Sequence, residues 1–400
     1  MADSTLVLVL EPRAGTCAIA ADARVAGLST SLRLALCAQA AGATAIHLSP
    51  SIDLDAIARS LADDRLTIRV TRDAIPASAS RLVAPANLVA HRGLASALLQ
   101  STVGVRAGER DAFMAYFPAS ISRDAIAIPF DHAPPYGFRP LLVTDAPSAS
   151  RATSLLLRSL RKPADGWTST HLNRYLSLAV TRLLVRTSLR PNPLSVAILF
   201  IGLASGVVAS RGDRASLAIG AALLQTQSVL DGCDGELSRL THRGSRLGEW
   251  LDTIGDDLSN YGFFAGACVG LHRATASPLY VAIGALIVGA GVVASGLEYR
   301  YLARIGSGDL LAYPLGLGDS GGAPTSAMGT IAAAIRPLFK RDTFVLLTLV
   351  AAIVGLLGPM LAIFAAGAVG VLVAVVKAEL RMMRERRAQD VRTSPPRMPS

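Results

Sequence analysis

A chain of 400 residues that is 51% hydrophobic, with mean hydropathy +0.44, carries more apolar sequence than a single soluble domain needs, and its net charge of +10 leaves it strongly basic. The four cysteines (Cys17, Cys37, Cys233, Cys268) form no CxxC pair and have no metal-ligand spacing, which argues against a disulfide framework and a zinc site. Much of the Arg lies beside apolar segments, so the charge speaks for orientation in a lipid bilayer and against nucleic-acid binding.

In chain order, Met1 to Leu10 has an acid at Asp3, no basic start and a short apolar run, and so does not read as a secretory signal. Thr5–Leu10, Thr44–Ser49 and Leu66–Thr71 predict strands, while Gly27–Ala41 and Leu54–Ala62 predict helices. This βαβαβ order predicts a Rossmann-like α/β domain with a largely parallel sheet over residues 1–160. His171–Arg190 places Leu172, Leu176, Val180, Leu183 and Leu184 at helical spacing among arginines. It predicts an amphipathic helix on the cytoplasmic membrane face, within a juxtamembrane segment 161–192. In Arg190-Pro191-Asn192-Pro193-Leu194-Ser195, the prolines stop that helix and Ser195 is read as the start residue of the next.

Apolar sequence then dominates an all-α membrane domain over 193–380. Six segments, near 194–210, 215–238, 250–271, 279–299, 342–357 and 360–378, come close to the roughly 20 residues that a ~30 Å hydrocarbon layer requires. The loops at 211–214 and 272–277 and a tight Gly358-Pro359 turn are weakly charged, whereas 239–249, 300–341 and 381–387 carry most of the Arg and Lys. Both termini are therefore expected in the cytoplasm, at the inner membrane of a cell, with six spans between them. Gly202, Gly206, Gly220, Gly262, Gly266, Gly284, Gly289 and Gly291 are expected to let these helices pack closely. The Gly-rich loop Gly306–Pro324 reads as a cytoplasmic connector, and 381–400 as a basic, disordered tail.

One stretch stands out against this background: Asp231-Gly-Cys-Asp234-Gly235-Glu-Leu-Ser238-Arg239, followed by Gly248, Asp252 and Asp256. Ionisable groups flanked by apolar sequence need partners to offset their desolvation. Asp231 and Asp234 are three apart and Asp252 and Asp256 four apart, so each pair shares one face of its helix, and a hairpin over 235–248 brings the pairs together. Converging carboxylates raise one another's pKa unless a cation intervenes, and an all-oxygen donor set suits one or two Mg²⁺ or Mn²⁺ ions. Gly235 permits close approach to the backbone and Arg239 can fork onto a phosphate. The combination points to metal-assisted phosphoryl-group transfer, with a spare carboxylate accepting a proton from an attacking hydroxyl. The rival reading, a salt-bridge network with Arg239, Arg243 and Arg246, predicts neither the spacing nor the glycines.

The pattern Asp231-x2-Asp234-Gly235-x2-Ser238-Arg239-x8-Gly248-x3-Asp252-x3-Asp256 resembles the signature of the CDP-alcohol phosphotransferase (CDP-alcohol phosphatidyltransferase) family, with Ser238 standing where the family usually has alanine. The resemblance implies that a CDP-linked alcohol donates its phospho-alcohol group to a second alcohol and releases CMP. It further implies that Asp231, Asp234 and Asp252 hold two divalent metals, and that Asp256 accepts the proton and touches the second metal. Gly235, Arg239, Gly248 and, on the intervening loop, Ser245 are assigned to the CDP moiety by the same carry-over. The acceptor is expected to be a polyol or phosphorylated polyol such as an inositol phosphate, with pairing to a second copy of the chain compatible with the layout. Lys340-Arg341-Asp342 is read either as a binding point for an acceptor's phosphate or as a marker of topology alone.

The two-part layout also resembles bifunctional enzymes that join an inositol-phosphate cytidylyltransferase to a di-myo-inositol phosphate phosphate synthase, a likeness carried by the N-terminal βαβαβ order and by the stretch from Val143 to Trp167. Against that likeness, Glu11-Pro-Arg-Ala-Gly15-Thr-Cys-Ala-Ile-Ala has one glycine where a phosphate loop should be Gly-rich. Arg81-Leu-Val-Ala-Pro-Ala86-Asn87 also lacks the expected acid. The N-terminal domain is therefore read as a degenerate nucleotidyltransferase-like domain. Two alternatives to polyol transfer stand: a CDP-diacylglycerol-dependent phospholipid synthase, and an ion-coupled transporter. The last three apolar segments carry no counterpart of the acid cluster, which disfavours the transporter.

Overall fold

The run Leu-Val-Leu-Val-Leu after Thr5 has no side chain suited to water on either face, and it becomes a strand buried on both faces. The computed structural model describes residues 5–393 apart from 22, 53, 102–103, 110, 120–137, 162–167 and 316–339. Contacts divide the chain into two units. One comprises 1–163 with 182–188 and 236–243; the other comprises 164–181, 189–235 and 244–400. The division interleaves the chain, with the end of one long helix counted in the first unit.

In the first unit, strands β1 (Leu6–Glu11), β2 (Arg24–Val25) and β3 (Leu28–Ser29) lead to helix α1 (Thr30–Ala40). Strand β4 (Ala45–Leu48), helix α2 (Leu54–Leu61) and strand β5 (Arg69–Thr71) complete the βαβαβ order expected from the sequence. Ser29 caps α1 by accepting from the Leu32 N–H at 3.3 Å. Strands β6 (Ser80–Pro85), β7 (Leu88–Val89), β8 (Val105–Glu109) and β9 (Ala112–Phe117) follow, with helix α3 (Leu94–Leu98) before β8. The main sheet has the order β5-β4-β1-β6-β9-β8. β1 pairs in parallel with β4 and β6, whereas β9 runs antiparallel to both β6 and β8. The sheet is thus mixed: the short β8–β9 connection leaves no room for the crossover a parallel pair requires. Leu8, Leu34, Ile46, Leu82 and Met114 meet in the core. Strand β10 (Leu141–Leu142) pairs with β7, and helix α4 (Ala146–Arg158) opens with a capping box in which Asp145 and Ser148 satisfy each other's backbone N–H groups.

The segment after β1 is tethered rather than open. Asn87, buried, accepts from the Ala14 N–H at 2.9 Å and donates to the Ala14 carbonyl at 2.9 Å and the Val143 carbonyl at 3.3 Å. The stretch 81–87, which lacks the expected acid, ends in this amide, and the amide spends its hydrogen bonds on the chain itself.

In the second unit, a π-helical turn (Ser169–Asn173) enters helix α5 (Arg174–Leu184). Its buried face is polar, carrying Asn173, Ser177 and Thr181, while Leu172, Tyr175 and Leu176 are exposed. Helix α6 (Pro191–Ala209) starts at Pro191, in the first turn where a missing N–H costs nothing. Ser195 is therefore inside the helix, not at its start. Helices α7 (Arg214–Thr241), α8 (Arg246–Thr275), α9 (Pro278–Ile305), α10 (Arg341–Val354) and α11 (Leu357–Thr393) occupy the remaining apolar segments. Among the described residues, three of these helices (α6, α9, and α11 over Leu357–Glu385) are long and apolar enough to cross a membrane. α7 and α8 carry the acids, and α10 has 14 residues.

Two boundaries differ from expectation. α11 continues through Thr393, so 381–393 is helix rather than disordered tail. Arg, Met, Glu, Ala and Gln dominate there and are good helix formers, and Arg381 sits one turn before Glu385 at 4.0 Å. Residues 394–400, and the part of the expected connector from residue 316 to Pro324, lie outside the described residues. The turn between α10 and α11 is at Gly355, whose φ of 82° demands glycine, while Gly358 and Pro359 lie in the first turn of α11.

Backbone-to-backbone approach joins α6 to α8. A Cβ on Gly206 would meet the Gly262 carbonyl, and one on Gly266 would meet the Gly206 carbonyl. Gly289, read from sequence as another packing glycine, has open space at its Cβ position, and a Cβ on Gly262 meets only ordinary contact with Leu203.

Candidate active site

The acid-bearing stretch folds as the helix spacing required. α7 carries Asp231 and Asp234, α8 carries Asp252 and Asp256, and Asp231, Asp234 and Asp252 each present a carboxylate oxygen within 4.8 Å of the others. Asp234 is buried, Asp231 partly so, and Asp252 exposed, so the cluster opens to solvent on the α8 side. The donor set is all oxygen, supplied by three carboxylates, which fits a hard divalent cation.

Residues far away in sequence complete the arrangement. Ser195 on α6 donates to Asp234 Oδ2, and the Gly235 N–H reaches Asp234 Oδ1 at 2.5 Å. Both Asp234 oxygens are thereby oriented. Ser195 was read as a capping residue; its hydroxyl instead belongs to the acid cluster. Arg341, at the start of α10, pairs with Asp256 Oδ2 at 2.8 Å and with Asp231 Oδ2 at 3.4 Å. Its other terminal nitrogen donates to Gln227 Oε1 at 2.6 Å, and Gln227 Nε2 donates to Asp256 Oδ1 at 3.3 Å. Asp256 is thus held between a guanidinium and an amide, beside the three-carboxylate group rather than within it. Gln227 belongs to no motif, although it precedes Asp231 by one helical turn and so shares its face.

The next residue shows how sharply the helix sorts acids. Asp257 accepts from Tyr299 at 2.7 Å and from Ser295, both on α9. Hydroxyls satisfy it, and it takes no part in the cluster.

The loop after α7 is shaped by its own residues. His242 has φ of 51°, and Ser245 caps α8 by accepting the Gly248 N–H at 3.0 Å. A Cβ on Gly248 would stand 3.3 Å from both Asn192 Oδ1 and Ser245 Oγ, so glycine is the residue that fits there without adjustment. Ser245, assigned by resemblance to a nucleotide, has the capping bond as its observed role. Arg239 belongs to the first unit, where it lines a cavity with Arg33 and His242.

Comparison with known proteins bears on the same stretch. Residues 188–378 match the model of the family described as CDP-alcohol phosphatidyltransferase. The chain is 38% identical over 116 residues to the "Bifunctional IPC transferase and DIPP synthase" of Thermococcus kodakarensis, covering 29% of this chain and 26% of that protein. It is 34% identical over 117 residues to the protein of that name from Aquifex aeolicus, covering 29% and 26%. Against the one from Rubrobacter xylanophilus it is 33% identical over 129 residues, covering 31% and 28%. The chain thus spans about a quarter of the length of the curated relatives it matches. With the acid pattern, its helical setting and the family match all falling on the same residues, the stretch 188–378 is a domain of the CDP-alcohol phosphatidyltransferase family.

Proposed function

We propose that this protein transfers a phospho-alcohol group from a CDP-alcohol to the hydroxyl of a second alcohol, releasing CMP. The observation that carries the reading is the convergence of Asp231, Asp234 and Asp252 from two helices, with Asp256 alongside. These three would hold a divalent ion, Mg²⁺ or Mn²⁺, which when bound neutralises the donor's diphosphate. Asp256 accepts the proton of the acceptor hydroxyl. The acceptor oxygen bonds to the phosphorus that carries the donor alcohol, and the bond from that phosphorus to the CMP oxygen breaks. Arg341 and Gln227 keep Asp256 aimed, and Arg341 offers a guanidinium to an acceptor's phosphate. Ser195 holds Asp234 in its ligating orientation. Gly235, Gly248 and, by its place in the motif, Arg239 serve the CDP moiety.

The names of the relatives favour a polyol phosphate of the inositol phosphate class as acceptor and a soluble CDP-polyol as donor, over CDP-diacylglycerol. The tether through Asn87 supports a first unit that does not make its own CDP-alcohol. We place all six long helices α6–α11 across the bilayer, with the acid cluster and both termini on the cytoplasmic side, since Arg and Lys gather on that set of loops.

The test crosses CDP-inositol and CDP-diacylglycerol with free and phosphorylated inositol, glycerol phosphate and serine, and reads CMP. Release with a CDP-polyol and a phosphorylated acceptor is expected, together with loss on chelation and recovery on adding Mg²⁺. CMP release only from CDP-diacylglycerol would move the protein to phospholipid synthesis, and none from any pair would sink the transfer reading.

A further inference from the structure

The first unit contains a cavity of about 290 Å³, and Arg239 is the one residue of its lining that the proposed transfer uses. Four stretches distant in sequence build its wall: Arg33 on α1, His91 and Arg92 after β7, Arg161 beyond α4, and Arg239 with His242 at the end of α7. Four arginines and two histidines line it, and among the described residues no carboxylate does.

Of these groups Arg33 and His91 are buried. Arg33 is 3% exposed. It donates to the Leu240 carbonyl at 2.9 Å and to the Val25 and Ala26 carbonyls at 2.9 and 3.0 Å, while its buried Nε finds no partner. Carbonyls satisfy N–H groups without cancelling the charge. Burial pushes Arg33 down to about 10. Burial, then Arg33, Arg92 and Arg65, push His242 down to about 4. Burial and Arg92 lower His91, whose Nδ1 accepts the Gly93 N–H at 3.2 Å and is therefore unprotonated. With both histidines pushed towards their neutral form, chiefly by burial, the cationic charge on the cavity wall is that of its arginines. Arg92 and Arg161 are exposed, so an anion has a way in.

We propose that this cavity binds a small phosphomonoester, with Arg33, Arg92 and Arg161 as its cationic contacts. Planar guanidinium forks match phosphate oxygens, and a dianion offsets more of the positive field than a carboxylate does. The volume is at the lower end of the range for small-molecule sites, which suits a phosphate on a short polyol. The site does not depend on Arg239, whose place in the motif ties it to the donor. It gives the sheet-bearing unit a binding role that needs no glycine-rich loop, and it stands whether or not the transfer reading holds.

Full-length protein in detergent, with chelator present to keep the acid cluster metal-free, is titrated with glycerol 3-phosphate and with inorganic phosphate by calorimetry. Glycerol 3-phosphate is expected to bind saturably and more tightly than inorganic phosphate, and at least tenfold more weakly in Arg92→Gln and in Arg161→Gln. In protein labelled with ¹³C-histidine, binding should raise the His242 titration midpoint by at least one pH unit, because the added dianion offsets Arg33 and Arg92. Absence of saturable binding overturns the proposal, as does binding that survives in the Arg92→Gln/Arg161→Gln double variant. Loss confined to Arg341→Gln, or equal affinity for inorganic phosphate, counts against it equally.

Discussion

Asp256 and Asp257 are neighbours in sequence and opposite in circumstance. One helical step of about 100° turns Asp256 towards Arg341 and Gln227 and Asp257 towards the hydroxyls of Ser295 and Tyr299. Asp256→Asn removes the proton acceptor and should lower CMP release by about 10²–10⁴-fold, with nucleotide binding still measurable by titration. Asp257→Asn keeps an acceptor oxygen for both hydroxyls. It should cost about 1 kcal/mol in thermal unfolding and leave CMP release in place. If both variants lose turnover alike, Asp256 has no special role. His242 supplies a pH prediction. Unfolded, it takes a proton below 6.5; folded, only at about 4. Stability should therefore be full above pH 6.5 and fall as pH drops towards 4, and His242→Gln should flatten that slope in denaturant titrations.

At the scale of elements, the seam between α6 and α8 has no room for a side chain at Gly206. Gly206→Val should force the helices apart and destabilise the second unit by roughly 1–3 kcal/mol or more. Thermal unfolding in detergent measures it, and an unchanged midpoint would mean that the seam opens freely. The same seam matters to the site, because α6 brings Ser195 to Asp234 and α8 brings Asp252. All six long helices were legible from apolar runs, since hydropathy reports burial or lipid contact directly. Their ends were less so. α11 outruns its apolar stretch because helix propensity and Arg/Glu spacing carry it on, and the Gly358-Pro359 pair reads as a turn although the first turn of a helix accommodates both. In the sheet, the parallel half followed from the βαβαβ pattern, while the β8–β9 hairpin showed no signal beyond its own alternation.

For the whole molecule, the relation of composition to chemistry is the informative one. Two helices hold three acids at mutual distances within 4.8 Å, a crowding of carboxylates that a divalent cation would relieve. Removing metal should abolish CMP release reversibly, and Asp231→Asn should raise the Mg²⁺ concentration needed for half-maximal activity. An unchanged Mg²⁺ requirement in that variant would remove Asp231 from the ligand set.

The acid faces, the glycines between them and the family of this stretch were legible in residue spacing, because helix periodicity converts spacing along the chain into position in space. Tertiary structure alone decided which partners meet those acids. Arg341 lies 110 residues from Asp231, and Ser195 lies 39 from Asp234. Contacts at such separations depend on how whole helices pack, and no local pattern encodes them. The same holds for the arginine-lined cavity of the first unit: its cations come from four separate stretches, each of which reads as an ordinary surface charge until the backbone brings them to one wall.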